Sequence, residues 1–144
     1  MKIEMKFSKL QAMLFALIFS TGSSASVFVN ISNIREIKGN LMIGVYKSQN
    51  EIEKRKDCKD CKGFKEIILA HEASVEIKDL QPGWYMIAIY QDLNSNENLD
   101  ANFMGIPIEP YGFSLNRMGM FGPSFEKSKF YYDGKNLNLD IKIN

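Results

Sequence analysis

The chain is poor in the residues that carry most catalytic and metal chemistry. It has one histidine, two cysteines and one tryptophan in 144 residues. A single histidine, His71, excludes histidine-rich metal centres and leaves little room for a nucleophile–histidine pair. The sequence has no nucleophile elbow, no phosphate-cradling glycine loop and no zinc-protease helix motif. It has no excess of positive charge, with 18 Lys and Arg against 17 Asp and Glu. That balance gives no electrostatic case for nucleic acid or an anionic membrane as partner. Internal repeats, low-complexity tracts and a long periodic helix are also missing.

Long apolar runs are scarce, and the one present stands at the front. Lys2, Lys6 and Lys9 precede the run LQAMLFALIF at residues 10–19, and Ser23-Ser24-Ala25 follows. A positive segment, a short apolar core and a small-x-small site predict a signal peptide over residues 1–25. The core is shorter than the about 20 residues a membrane-spanning helix needs. No cysteine stands near the cleavage site, which argues against a lipid anchor. Residues 26–144 are then expected to form one domain, exported to the periplasm or beyond, with no membrane span. Removing Lys2, Lys6, Lys9 and Glu4 turns 18 against 17 into 15 against 16, a net charge of −1.

The rest of the chain reads as strands. Residues 26–34 alternate Val27, Val29 and Ile31 against Phe28, Asn30 and Ser32, the period of a half-buried strand. After a turn at Lys38-Gly39-Asn40, residues 41–46 supply a second strand, and the pair is expected to form a hairpin. Gly44 inside it predicts a bulge or a close backbone neighbour. Residues 47–65 are charged and read as a long excursion with room for one helical turn, and residues 66–70 and 73–80 as two more strands. Pro82-Gly83 is a turn. Residues 84–90, WYMIAIY, are apolar on both faces and are expected to be the central strand. Residues 127–132 and 136–144 are expected to pair across Asp133-Gly134, a strong hairpin signal. About seven short strands and little helix predict an all-β chain, an antiparallel β-sandwich of the immunoglobulin kind.

Residues 90–130 break this regularity. Asp92, Asn94, Asn96, Asn98 and Asp100 recur at every second position. In a tight loop such side chains converge on a hard cation, as in calcium loops that use alternate positions. The match is incomplete: Glu97 stands where the sharp turn wants Gly, and Phe103 where a bidentate Glu belongs. Any Ca²⁺ site here is therefore expected to be weak, and the competing reading is a loop whose Asx side chains cap their own backbone. Farther on, Gly105, Gly112, Gly119 and Gly122 with Pro107, Pro110 and Pro123 fix a long irregular path. Most of its aromatics, Phe103, Tyr111, Phe113, Phe121 and Phe125, are expected to pack against one another. Around them, Glu109, Tyr111 and Arg117, with Asn102 and Ser114 as hydrogen-bonding groups, are the candidate ligand-binding residues. Reading Glu109 with Asp92 or Asp100 as a glycosidase carboxylate pair finds no support in their spacing.

Several of these segments together resemble the domain of unknown function 2141 family, small exported bacterial proteins. The matching residues are Val29-Asn30-Ile31, Lys38-Gly39, Ile43-Gly44-Val45-Tyr46 and Leu80-x-Pro82-Gly83-x-Tyr85-x-Ile87-Ala88. The longest match is Asp92-x-Asn94-x-Asn96-x-x-Leu99-Asp100-x-Asn102-x-x-Gly105-Ile106-Pro107, continued by Glu109-x-Tyr111-Gly112-Phe113-Ser114 and Phe121-Gly122-Pro123-x-Phe125-x-x-x-Lys129-Phe130. This chain departs from the family at Glu97, where Gly is usual. The resemblance implies a sandwich and an exported location, and no activity. The Leu80-to-Tyr85 segment is also similar to transthyretin-like and carboxypeptidase-regulatory sandwich domains, which are mostly accessory or binding modules. Three functional readings follow: a non-enzymatic module binding a small ligand, glycan or protein through the 90–130 surface, a structural envelope-associated protein, and a hydrolase using loop carboxylates.

Cys58 and Cys61, in KRKDCKDCKGF, are a lone C-x-x-C pair. The spacing suits a local disulfide, free thiols, a redox centre or half a metal site. A thioredoxin-type centre needs a βαβ context, which the strands deny. Zinc needs two ligands beyond the pair.

Overall fold

The computed structural model describes residues 25–56, 58–59, 61–120 and 122–144. The expected signal segment, apart from Ala25, lies outside the described residues, as does Phe121. The elements run β1 Val27–Ser32, β2 Asn40–Tyr46, α1 Gln49–Glu53, β3 Lys62–Ile67, β4 Ala73–Ile77 and β5 Gly83–Asp92, then β6 Tyr111–Phe113, α2 Phe125–Ser128, β7 Phe130–Tyr132 and β8 Leu137–Lys142. A 3-10 turn, Ser114–Asn116, follows β6. The fold is an all-β sandwich. One sheet has the order β4-β1-β8 and the other β3-β2-β5-β6, with β7 also on β5.

Alternation builds the core. Val27, Val29 and Ile31 of β1, Val75 and Ile77 of β4, and Ile141 of β8 meet Leu41, Ile43 and Val45 of β2 and Tyr85, Ile87 and Ile89 of β5. All of these are under 9 % exposed, so the two inner faces form one dry layer. The central strand is β5, as its sequence predicts. Its other face is apolar because a second layer covers it. Met86 packs there with Tyr46, Ile52 of α1, Phe113 of β6 and Phe125 of α2. Both short helices thus come from the charged excursion and the irregular segment, and both are spent on covering this sheet.

Three features differ from the sequence reading: two strand pairings and the strand limits. β1 and β2 are not a hairpin; they belong to opposite sheets. Residues 33–39 cross between the sheets, anchored by Ile34, 2 % exposed, and by Asn33, whose amide donates to the Ile143 carbonyl. An alternating strand faces the core identically from either side, so its pattern does not say which sheet it joins. β7 and β8 likewise are not a hairpin: β7 pairs with β5, and β8 runs parallel to β1. Asp133-Gly134 is a turn, with Asp133 accepting from Lys135 N, but it switches sheets. The sandwich is therefore antiparallel except for β1–β8. The third difference is in strand limits. β3 begins at Lys62, inside the charged excursion, because it is an edge strand with almost every side chain exposed. Lys127 and Ser128, read as strand, are the end of α2.

Gly44 neither bulges nor meets a backbone neighbour. The Tyr46 ring, two residues on along the same face, lies over it and would collide with a Cβ.

Candidate functional site

Residues 93–110 hang from the end of β5 and return through β6. Two buried carboxylates hold the first part. Asp92 is fully buried, and its oxygens accept from Asn96 N at 3.1 Å and Glu97 N at 2.9 Å. Glu109 is 5 % exposed and accepts from Leu93 N at 2.8 Å and Asp100 N at 3.0 Å. Carboxylates bonded to backbone N–H groups are strong braces. Asp92 fixes the Asn96–Glu97 turn to the strand end, and Glu109 joins Leu93 to Asp100 across the loop. Ser95 and Glu97 sit at positive φ, at 60° and 61°. That accounts for the glycine usual at Glu97's position: the turn uses the left-handed conformation, and this chain adopts it with a non-glycine residue. Glu97 also pairs with Lys65 of β3 at 2.9 Å.

The exposed part of the same loop is self-capped. Asp100 accepts from the Asn94 amide at 2.7 Å and the Asn96 amide at 3.0 Å, and Asn96 Oδ1 accepts from Asn98 N at 2.8 Å. Of the five alternating residues, the structure gathers Asn94, Asn96 and Asp100. Asn98 turns its amide back onto the Asn96 carbonyl, and Asp92 is directed inward. With both oxygens bonded to backbone amides, Asp92 fits the role of a brace better than that of a cation ligand.

Tyr90 lies beside this charge. Burial, then the Asp92 and Glu109 carboxylates, push its phenol up to about 12. Tyr46, in the layer over the same sheet, is raised by burial as well, with Arg55 opposing.

The five candidate ligand-binding residues take separate roles. Glu109 is the brace described above. Ser114 is fully buried between β6 and β7, where the β5 edge facing away from β2 has no strand partner. Its hydroxyl accepts from Ile87 N at 3.0 Å and donates to the Ser128 carbonyl at 2.5 Å. Asn102 caps a turn, accepting from Met104 N at 2.9 Å and Ile106 N at 3.0 Å. Tyr111 is half-buried against Phe113, with its hydroxyl donating to Met118 Sδ at 3.4 Å. Arg117 is exposed, and its carbonyl accepts from Ser128 Oγ. The five therefore do not line one concavity. Two surface cavities lie elsewhere, one of about 70 Å³ beside Lys47, Glu51 and Lys62, the other an open depression beside Asn30, Glu72 and Asp140.

What sequence reasoning missed is the tip of the loop. Phe113 and Phe125 pack inward as expected, but Phe103 is 98 % exposed. Met104, Ile106 and Ile108 are exposed beside it, at 68, 54 and 65 %. The backbone beneath them is tied by Asn102 N to Ile106 O, Gly105 N to Asn102 O and Ile108 N to Asp100 O, with an Ala101–Pro107 bridge. The tip is thus a rigid apolar projection, not a packed lid. Its signal was present in the sequence: residues 101–108, ANFMGIPI, contain no charged side chain.

The chain belongs to the family described as "Uncharacterized protein conserved in bacteria (DUF2141)", which it matches over residues 29–140. That span includes all of β1 but its first two residues, both braced segments and the tip. No curated protein and no solved structure matches it.

Proposed function

We propose that the chain is an exported, non-enzymatic binding module that engages a protein partner through the projection at residues 101–108. The exposure of Phe103, Met104, Ile106 and Ile108 on a hydrogen-bonded turn carries this reading. Exposed apolar clusters in monomeric domains mark interaction sites, and a preformed tip has little ordering entropy to lose on docking. A convex knob suits a partner's pocket, whereas a small ligand or glycan needs a concavity of its own. A bilayer is less favoured: residues 101–108 carry no Lys, Arg or Trp, the residues that interfacial segments use, and the acidic Asp100 stands beside them. The loop carboxylates Asp92 and Glu109 are engaged by backbone amides, which favours binding over hydrolysis. Export rests on the residue 1–25 pattern.

A photo-crosslinking residue placed at position 103, compared with one at the exposed Asn138, tests the reading in cells. A discrete protein adduct at 103 that disappears with Ile106→Ser and Ile108→Ser supports it. Equal, diffuse yields at both positions contradict it.

A second reading gives the exposed half of the loop a weak Ca²⁺ site, because Asp100, Asn94 and Asn96 converge there. Calcium at tenfold its Kd would add about 1.4 kcal/mol of stability. An unchanged melting temperature at millimolar calcium removes this reading.

A further inference from the structure

Outside the 90–130 loop, one cluster gathers metal-ligating atoms. A carboxylate oxygen of Glu51 and the sulfurs of Cys58 and Cys61 all lie within 4.8 Å of one another, and all three residues are half-buried. Among the described residues this is the group of three such side chains drawn together. The cysteines are joined as a disulfide with a Cα–Cα distance of 5.5 Å.

The surroundings hold these atoms in place. Glu51 lies in the first turn of α1, where Ser48 Oγ caps its N–H and its own carboxylate accepts from Lys47 N at 2.6 Å. That bond orients the carboxylate and leaves it further acceptor capacity. Cys61 packs against the layer of Tyr46, Ile52 and Met86. Lys54, Arg55, Lys56, Lys59 and Lys62 crowd the sequence around the pair, and neighbouring cations favour thiolates over thiols.

We propose that reduction converts this cluster into a binding site for a zinc-class divalent cation, with Cys58, Cys61 and Glu51 as ligands and a fourth position open to water. Disulfide and metal are mutually exclusive states, so the site is gated by redox. A dithiol reductant supplies two electrons and two protons. The Cys58–Cys61 bond breaks to two thiols and the reductant becomes its own disulfide. The cation then displaces both thiol protons to solvent. Two sulfurs at about 2.3 Å from a tetrahedral ion stand about 3.8 Å apart, a separation that side-chain rotation in a C-x-x-C loop can supply. Two thiolates select a soft or borderline ion over Ca²⁺ or Mg²⁺. This site is independent of the 101–108 tip.

The test is zinc titration of the purified protein with a chromophoric competitor, without oxygen, before and after phosphine reduction. The expected result is one Zn²⁺ per chain in the reduced protein and none in the oxidised protein. Glu51→Gln keeps an oxygen for the helix cap and should weaken binding at least tenfold. The double variant Cys58→Ser, Cys61→Ser should bind none while keeping the wild-type circular dichroism spectrum, which separates loss of ligands from loss of fold. The proposal is overturned if reduced protein binds zinc no better than this double variant. It is equally overturned if Glu51→Gln binds as tightly as wild type.

Discussion

Ser114, Glu109 and Tyr90 show how single side chains hold the loop to the sheet. Ser114 supplies β5 with the acceptor that a strand would otherwise provide at Ile87. Ser114→Ala leaves a buried N–H unpaired and should cost about 1–3 kcal/mol in urea unfolding. Glu109→Gln removes one of two acceptor oxygens and should cost a similar amount, about 1–3 kcal/mol. A surface acid in a solvated loop would give almost no change, so the pair of variants checks the bracing role directly. Tyr90 sets an alkaline limit. Its folded value of about 12 exceeds its ordinary 10.0, so the folded state holds the proton longer. Its contribution is complete below about pH 10 and is lost as pH rises toward 12. Spectrophotometric titration should show Tyr90 ionising late, along with Tyr46, whose phenol burial also raises, and stability should fall across that interval. In the sequence, Glu109 and Ser114 were visible as distinctive residues in a distinctive place. Their role was not, because a buried brace and a ligand-binding group use the same oxygen atoms.

Strand positions were legible because burial on one face imposes a period of two, which β1, β2, β4 and β8 carry, while β5, covered on both faces, reads as a continuous apolar run. Pairing was not, since Val27, Val29 and Ile31 would face the same core from either sheet. Edge elements escaped for the opposite reason: β3 buries too little to leave a pattern, and its first four residues, KGFK, read as loop. β6 is only Tyr111–Phe113, yet it joins the two sheets' ends. Tyr111 and Asn144 exchange backbone hydrogen bonds, 3.2 and 3.0 Å, while Gly112 passes the Lys142 carbonyl too closely for any Cβ. The crossover between sheets has a similar point at Gly39. Its φ is 70°, and a Cβ there would strike the Asp92 carbonyl. Gly39→Ala should therefore cost more than about 2 kcal/mol, read as a lowered urea midpoint. A loss of a few tenths would show that the contact relaxes easily.

At the scale of the whole molecule, a sandwich supplies the frame, and α1 and α2 cover the outer face of the sheet that carries the loop. Ser26 is 2 % exposed, with its N–H on Asn136. If export proceeds by cleavage after Ala25, N-terminal sequencing of the recovered protein should start at Ser26; a start at Met1 would remove the export reading. The central claim is that residues 101–108 stay apolar for a partner and not for the fold. Equilibrium unfolding of the variant Phe103→Ser, Met104→Ser, Ile106→Ser, Ile108→Ser measures this most directly. Exposed positions of this kind should leave stability within about 0.5 kcal/mol each, with an unchanged denaturant slope. A loss of several kcal/mol would mean that the tip is packed in solution, and the account of it as a docking projection would be wrong.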